Sequence, residues 1–441
     1  MDQILASLRQ ASAYRLANAA APRCLVNDTT GLAGLADDLV ALDIDVAGGR
    51  IAAIGPAGGR PSDDLAVIDL KGRQVWPCFV DLHTHLDKGH IWQRSPNPDG
   101  SFAGALETAA ADHVHWGEDD TRRRFAFGLA ASHAHGTAAI RTHIDSSGPQ
   151  AEASWRVFTE LRDAWRDRIE LQAVSILLSE YFDEPYGDWI ADLVAECGGI
   201  LGAVTFMSPN LDGQLDRMFA AAGDRGLDLD FHVDESGDVE ARSLKQIALA
   251  ARRTGFDGRI VAGHCCSLAV QPADAVRETL DLVAEAGISV VSLPMCNLFL
   301  QDRMPGRTPR WRGVTLLHEF RARGIPVSVA SDNCRDPFYG FGDHDMLEVF
   351  TQAVRIAHLD RPYGDWPAAV TRTPAAEMGL AEAGRLTAGG LADIIVFRGR
   401  YYSELLSRRQ SDRIVLRGGR PIDTTLPAYE ELDDLMEKVR Q

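Results

Sequence analysis

Between Pro77 and about residue 380 the chain alternates short apolar runs with amphipathic helical stretches, and no other feature constrains its fold so tightly. The strand candidates are CFVDLHTH, AAIRTHID, ELQAVSIL, GAVTFM, LDLDFHVD, RIVAGH, ISVVSL and IPVSVASD. Between them run segments such as RVFTELRDAW and LKQIALAARR, with Ala, Leu, Arg and Glu at helical spacing. Eight strand–helix units over roughly 300 residues match the requirement of a closed parallel (β/α)8 TIM barrel. A doubly wound open sheet uses the same alternation. The polar residues favour the barrel: His83, His85, His143, His232, His264 and Asp332 all fall at C-terminal ends of strand candidates. Barrel active sites are built at those ends.

The two ends of the chain read differently. Residues 1–20 read as a short Ala-rich helix. From Arg23 to Trp76, β-rich pieces (RCLV, VALDIDV, RIAAIG, LAVIDL) are separated by Gly, Pro and Asp turns, and ADIIVF and DRIVLRGGRPI repeat that pattern near the C-terminus. The expected organisation is an α/β chain in three stretches. Residues 1–76 hold the helix and the first part of a small β-sandwich, 77–380 the metal-dependent barrel, and 381–441 the remainder of the sandwich.

The sequence His83-Thr84-His85 closes the first barrel strand. Side chains two apart on a strand share a face, so both imidazoles can reach one ion. His232, His264 and Asp332 end strands five, six and eight. A single strand-end His is commonly a core residue and a single Asp a helix cap; five such residues together are hard to place as caps. Imidazoles with a carboxylate suit zinc or ferrous iron better than magnesium or calcium. Three or four protein ligands leave a position for water, which such an ion acidifies.

Composition narrows the function classes. Hydrophobic residues make up 45% and charged residues 24%, ordinary for a packed soluble chain. A formal charge of −18 without a basic run argues against nucleic acid or an anionic membrane as partner. No run approaches the roughly 20 apolar residues of a membrane span, and the start does not read as a signal peptide. Seven scattered cysteines form no disulfide framework, so a reducing cytoplasm is expected. A small molecule is the expected partner, with the protein a homo-oligomer.

The chain resembles the amidohydrolase superfamily, and within it the cytosine deaminase-like branch, over about residues 23–420. The carriers are FVDLHTHLDK, RTHID, FHVDE, AGHCCSLA, NLFLQDR with the following RWRGVTLLHEF, and ASDNCRDPFYGFGDHDML. The resemblance implies that His83, His85, His232 and Asp332 hold one divalent metal ion. It implies that Glu235 carries a proton to a ring nitrogen, that His264 orients the activated water, and that Asp332 also accepts its proton. The fourth strand, ILGAVTF, lacks the Lys by which binuclear relatives bridge two metals, which implies a mononuclear site. His143 is expected to be buried beside the ligands rather than among them.

Three positions depart from cytosine deaminases and bear on substrate. Leu178 stands where those enzymes have a Gln that reads the pyrimidine amide edge. Asn333 replaces the second of two consecutive Asp residues, and Phe338 replaces a Trp. Asn offers a donor as well as an acceptor. Lys88 together with Asn333 is similar to the N-isopropylammelide aminohydrolases; taken alone, Lys88 reads equally as a buried ion pair with Asp87 or another acid. Trp92 and Phe102 lie in a loop expected to cover the pocket. The expected activity is hydrolytic deamination of a nitrogen heterocycle, cytosine deaminase-like, with ammonia released. The alternatives are C–N hydrolysis of an N-alkylammelide-type triazine or a pterin, and a noncatalytic metal-binding barrel. The last predicts loss of Glu235, His264 or Asp332, and all three are present.

Overall fold

The computed structural model describes residues 1–60, 65–408 and 412–437. They fall into two compact units. The first comprises Met1–Asp81, Ala130–Ala139 and Asp345–Leu426; the second comprises Leu82–Leu129, Ile140–His344 and Pro427–Gln441.

In chain order the first unit supplies β1 (Ala13–Pro22), β2 (Ala33–Gly34), β3 (Leu39–Ala47), β4 (Arg50–Pro56), β5 (Ala66–Asp69) and β6 (Val75–Pro77). The second carries β7 (Phe79–Thr84, entering it at Leu82), β8 (Thr137–Asp145, entering it at Ile140), β9 (Glu170–Ile176), β10 (Leu201–Thr205), β11 (Leu229–Val233), β12 (Ile260–His264), β13 (Ser289–Ser292) and β14 (Val327–Val329). The chain returns to the first unit for β15 (Ile394–Val396), β16 (Ile414–Arg417) and β17 (Arg420–Pro421).

In the first unit, one sheet runs β2-β3-β1-β5 with β4 on β3, and another runs β17-β16-β15-β6. Residues of both sheets share one buried cluster, which includes Leu16, Leu42, Ile44 and Ile68 from the first and Val75, Ile394, Ile414 and Leu416 from the second. The expectation of helix over residues 1–20 is corrected here. The helix is Asp2–Gln10 only, and Ala13–Pro22 is a strand that pairs antiparallel with β3 and parallel with β5. Alanine's helix preference is worth under about 1 kcal/mol per residue, and two flanking ladders with a buried face outweigh it. Arg23–Leu25, expected as strand, is a short 3-10 turn.

The second unit holds the eight expected strands, each at its expected place. β10 to β14 form a parallel sheet in sequence order, and β7-β8-β9 form another. Parallel bridges Val174↔Ile200 and Leu178↔Val204 link the β9 segment to β10, and Thr84↔Asp332 links the end of β7 to the segment after β14. Strands β7, β11, β12, β13 and β14 are buried along their whole length. Parallel strands covered on both faces show that pattern, with near-continuous apolar runs in place of alternation. The expected helices fall at Ala151–Trp165 and Ser243–Thr254. No helix among the described residues is long and apolar enough to cross a membrane.

Candidate active site

The strand ends deliver four side chains to one point. His83 Nε2 lies 3.1 Å from His232 Nε2, and His232 Nε2 lies 3.4 Å from His85 Nε2. Asp332 Oδ1 lies 3.2 Å from His85 Nε2 and 3.7 Å from His83 Nε2. All four residues are buried. Burial, followed by the charges of neighbouring groups, holds His83, His85 and His232 well below the usual imidazole range. The rings are therefore neutral, the form that offers a lone pair to a metal. Nitrogens bound at about 2.0–2.1 Å around a tetrahedral ion stand roughly 3.3 Å apart, so the observed spacings fit a single divalent ion held by this set. Three imidazoles crowded at these distances without a shared ion would leave their lone pairs opposed.

Two backbone features set this geometry. His264 and Asp332 both take the left-handed conformation, with φ of 66° and 64°, which non-glycine residues adopt mainly where surroundings enforce it. At Gly263 a Cβ would stand 3.1 Å from His83 Cε1 and 3.2 Å from the Phe231 carbonyl oxygen, so the missing side chain admits the His83 ring. Thr84 Oγ1 donates to the Asp332 carbonyl at 2.8 Å and pins the Asp332 turn against the end of β7.

Beside the four-residue cluster lie Glu235 and His264. Glu235 Oε1 is 3.3 Å from His264 Nδ1. The Asn297 amide donates to Glu235 Oε1 at 2.9 Å and lies 3.0 Å from His264 Nδ1. Burial first, then the charge of Asp332, pushes the Glu235 carboxyl well above its ordinary value. Burial lowers the His264 ring to about 3. His264 Nε2 is buried with no hydrogen-bond partner among the described residues. The arrangement combines a carboxyl group whose protonated form burial favours, an imidazole whose neutral form burial favours, and a set of donors that could hold a metal, the groups hydrolytic C–N cleavage uses.

The residues expected to touch substrate are distributed unevenly. Lys88 Nζ donates to Asp145 Oδ1 at 3.0 Å and sits 5.0 Å from the centre of the Phe338 ring. Its ammonium is kept charged despite burial by Asp145, Asp87 and Asp336. Asn333 Nδ2 donates to Asp336 Oδ2 at 2.7 Å, and Asp336 also accepts from the Phe338 and Tyr339 backbone. Lys88, Asn333 and Phe338 thus belong to one charged and aromatic wall. Leu178 caps a short 3-10 turn and is 38% exposed. Ser179, the polar neighbour of Leu178 in sequence, donates to Gln214. Phe102 packs edge-on against Phe338. The Trp92 ring packs beneath Gly340, where a Cβ would meet it at 3.0 Å. His143 is buried, with its ring centre 3.8 Å from that of His83. Cys265 and Cys266 are buried behind His264.

Asn297, Asp145 and Asp336 escaped the sequence reading. Asn297 lies in the NLFLQDR stretch that carried the resemblance, and its position on the first turn after Pro294 was the available signal. Asp145 and Asp336 likewise lie in stretches that carried the resemblance, RTHID and ASDNCRDPFYGFGDHDML, but their partners Lys88 and Asn333 are fixed only by tertiary contact.

Comparison with known proteins is consistent across its routes. The family model described as "Amidohydrolase family" matches residues 66–143 and 128–423. The chain is 52% identical to a pterin deaminase of Rhizobium rhizogenes over 428 residues, 97% of each chain. It is 26% identical to the N-isopropylammelide isopropyl amidohydrolase of Pseudomonas sp. strain ADP, covering 80% of this chain and 86% of that one. Its fold is similar to 5-methylcytosine deaminase from Klebsiella pneumoniae, with a TM-score of 0.78 at 23% identity, covering 93% and 97% of the two chains.

Proposed function

Because this chain belongs to the amidohydrolase family and is a hydrolase of C–N bonds, we propose that it is a mononuclear metal-dependent pterin deaminase. One observation carries the substrate: 52% identity, end to end, with a pterin deaminase. The wall of Lys88, Asn333 and Phe338 supports it, since a pterin is a planar oxygenated ring with polar edges and the wall offers a cation, an amide and an aromatic face. We read β7 to β14 as a closed (β/α)8 barrel and the two sheets of the first unit as a small sandwich. The −18 charge leaves a small heterocycle as the partner proposed, in a cytoplasmic, homo-oligomeric enzyme.

His83, His85, His232 and Asp332 would hold the ion, zinc or ferrous iron. When bound, it supplies an acidified water at neutral pH. Asp332 accepts the proton that water gives up as its oxygen bonds to the ring carbon bearing the amino group. Glu235, held protonated by burial, delivers its proton to the adjacent ring nitrogen. His264 donates a hydrogen bond that orients the water. The amino group takes the proton held by Asp332, the exocyclic C–N bond breaks and ammonia leaves, and the hydroxyl proton returns to Glu235 as the ring carbonyl forms. Lys88, Asn333 and Phe338 hold the ring, with Leu178 an apolar neighbour at the rim. The test is kcat/KM for ammonia release from a pterin, an N-alkylammelide, ammelide, isoguanine, isocytosine and cytosine. A pterin ranking first supports the reading; a triazine or cytosine ranking first overturns it.

A further inference from the structure

A second cluster in the same unit has no part in that chemistry. His90 follows the first strand by six residues, and Cys334 and His344 flank the loop after β14. All three are buried. One ring nitrogen of each histidine and the Cys334 sulfur lie within 4.8 Å of one another, and the two Nε2 atoms stand 3.2 Å apart. The geometry points to a second metal site, built from His90, Cys334 and His344, that takes a zinc-type ion.

The donors fit that class. A thiolate with two imidazoles selects zinc or cuprous copper over magnesium and calcium. Zinc binds sulfur at about 2.3 Å and nitrogen at about 2.0–2.1 Å, so donors already this close need only small adjustment. The surroundings hold them in place. His90 N–H donates to the Cys334 carbonyl at 3.0 Å, and the His344 N–H hydrogen-bonds to the Cys334 sulfur. His90 and His344 both take left-handed backbone, with φ of 63° and 54°, a conformation maintained only where neighbours enforce it. A Cβ at Gly128 would stand 3.1 Å from His344 Nε2 and 2.6 Å from Leu86 Cδ2, so the glycine lets the helix pass close to that ring. His90 also lines a cavity of about 270 Å³ with Gln93, Arg335, Tyr429, Leu432 and Met436.

Such an ion would join the loop carrying Lys88 to the loop carrying Asn333 and Phe338, and so brace the substrate wall. It is a clamp, and no reaction step passes through it. The experiment loads chelator-stripped full-length protein with cobalt and records bound equivalents and the near-ultraviolet spectrum. The expected result is two ions per chain, one of them with a thiolate-to-cobalt charge-transfer band. Cys334→Ser removes that band and one equivalent, whereas Cys296→Ser, at a buried cysteine beside Glu235 and Asp332, leaves both. His90→Asn is the second variant should Cys334→Ser not fold, and the wild-type spectrum needs no variant. Wild-type protein without a thiolate band, or a band that survives Cys334→Ser, overturns the assignment.

Discussion

The side-chain amide of Asn297 donates to Glu235 Oε1 at 2.9 Å, and its second N–H is within 3.0 Å of His264 Nδ1. One amide nitrogen has two protons, so a single residue orients both groups. Donation to His264 Nδ1 selects the neutral tautomer with its proton on Nε2, the buried atom that otherwise has no partner. Asn297→Ala is expected to retain metal and leave KM nearly unchanged, while kcat falls about 10–100-fold, the usual effect of an outer partner in a metal site. Steady-state kinetics with elemental analysis checks it; an unchanged kcat would mean that Asn297 only packs.

Glu235→Gln keeps the hydrogen-bonding shape and loses the proton. Turnover should drop about 10²–10⁴-fold with metal content intact, the range for a positioned general acid–base. Near-normal turnover on the best substrate would make Glu235 structural.

His83→Ala should lose the catalytic ion and activity together. The fold of the second unit should survive, because residues at strand ends lie outside the packed layers. Circular dichroism and elemental analysis decide this. Loss of more than one equivalent of metal on this single change would contradict a mononuclear catalytic centre.

Cytosine should be a poor substrate. Its amide edge needs a donor and an acceptor, Leu178 offers neither, and Ser179 is engaged with Gln214. A buried polar edge without partners costs about 1–3 kcal/mol, or one to two powers of ten in kcat/KM. A cytosine value that is the highest of the panel would refute the assignment.

Arg94 joins Asp112 and Asp120 in a buried network. Burial alone would raise the Asp112 carboxyl, but hydrogen bonds from Arg94, Ser95 and Trp116 outweigh it and hold it below 3.8; Asp120 is lowered likewise by Arg124 and Arg94. Folded values below the unfolded one mean that this stability is present above about pH 4 and is lost as pH falls through the folded values. Arg94→Met should therefore unfold at a higher pH in an acid titration and lose about 3–5 kcal/mol at neutral pH, the cost of stranding a buried charge. Acid unfolding at the wild-type pH would show that the network contributes nothing.

Much of this was legible in the linear chain. The eight strands stand where apolar runs predicted them, and His83, His85, His232, His264 and Asp332 were readable as strand-end residues because spacing and strand-end placement are local properties; it was the resemblance that singled out four of them as the metal-holding set. Residues 13–22 were not legible as strand. Their alanines favour helix in isolation, and the deciding ladders come from β3 and β5, residues 39–47 and 66–69. The choice of Asp145 as the partner of Lys88 was likewise hidden, since 57 residues separate them.

The sequence by itself therefore determined where the eight strands β7 to β14 form and which side chains end them, because periodicity and strand-end chemistry need no distant partner. Only the tertiary structure decided how those ends converge. Asn297 reaches Glu235 from 62 residues away, and His90 meets His344 from 254 residues away. Contacts of that separation are created by packing, through burial and hydrogen bonds satisfied across elements, and no local pattern of residues encodes them.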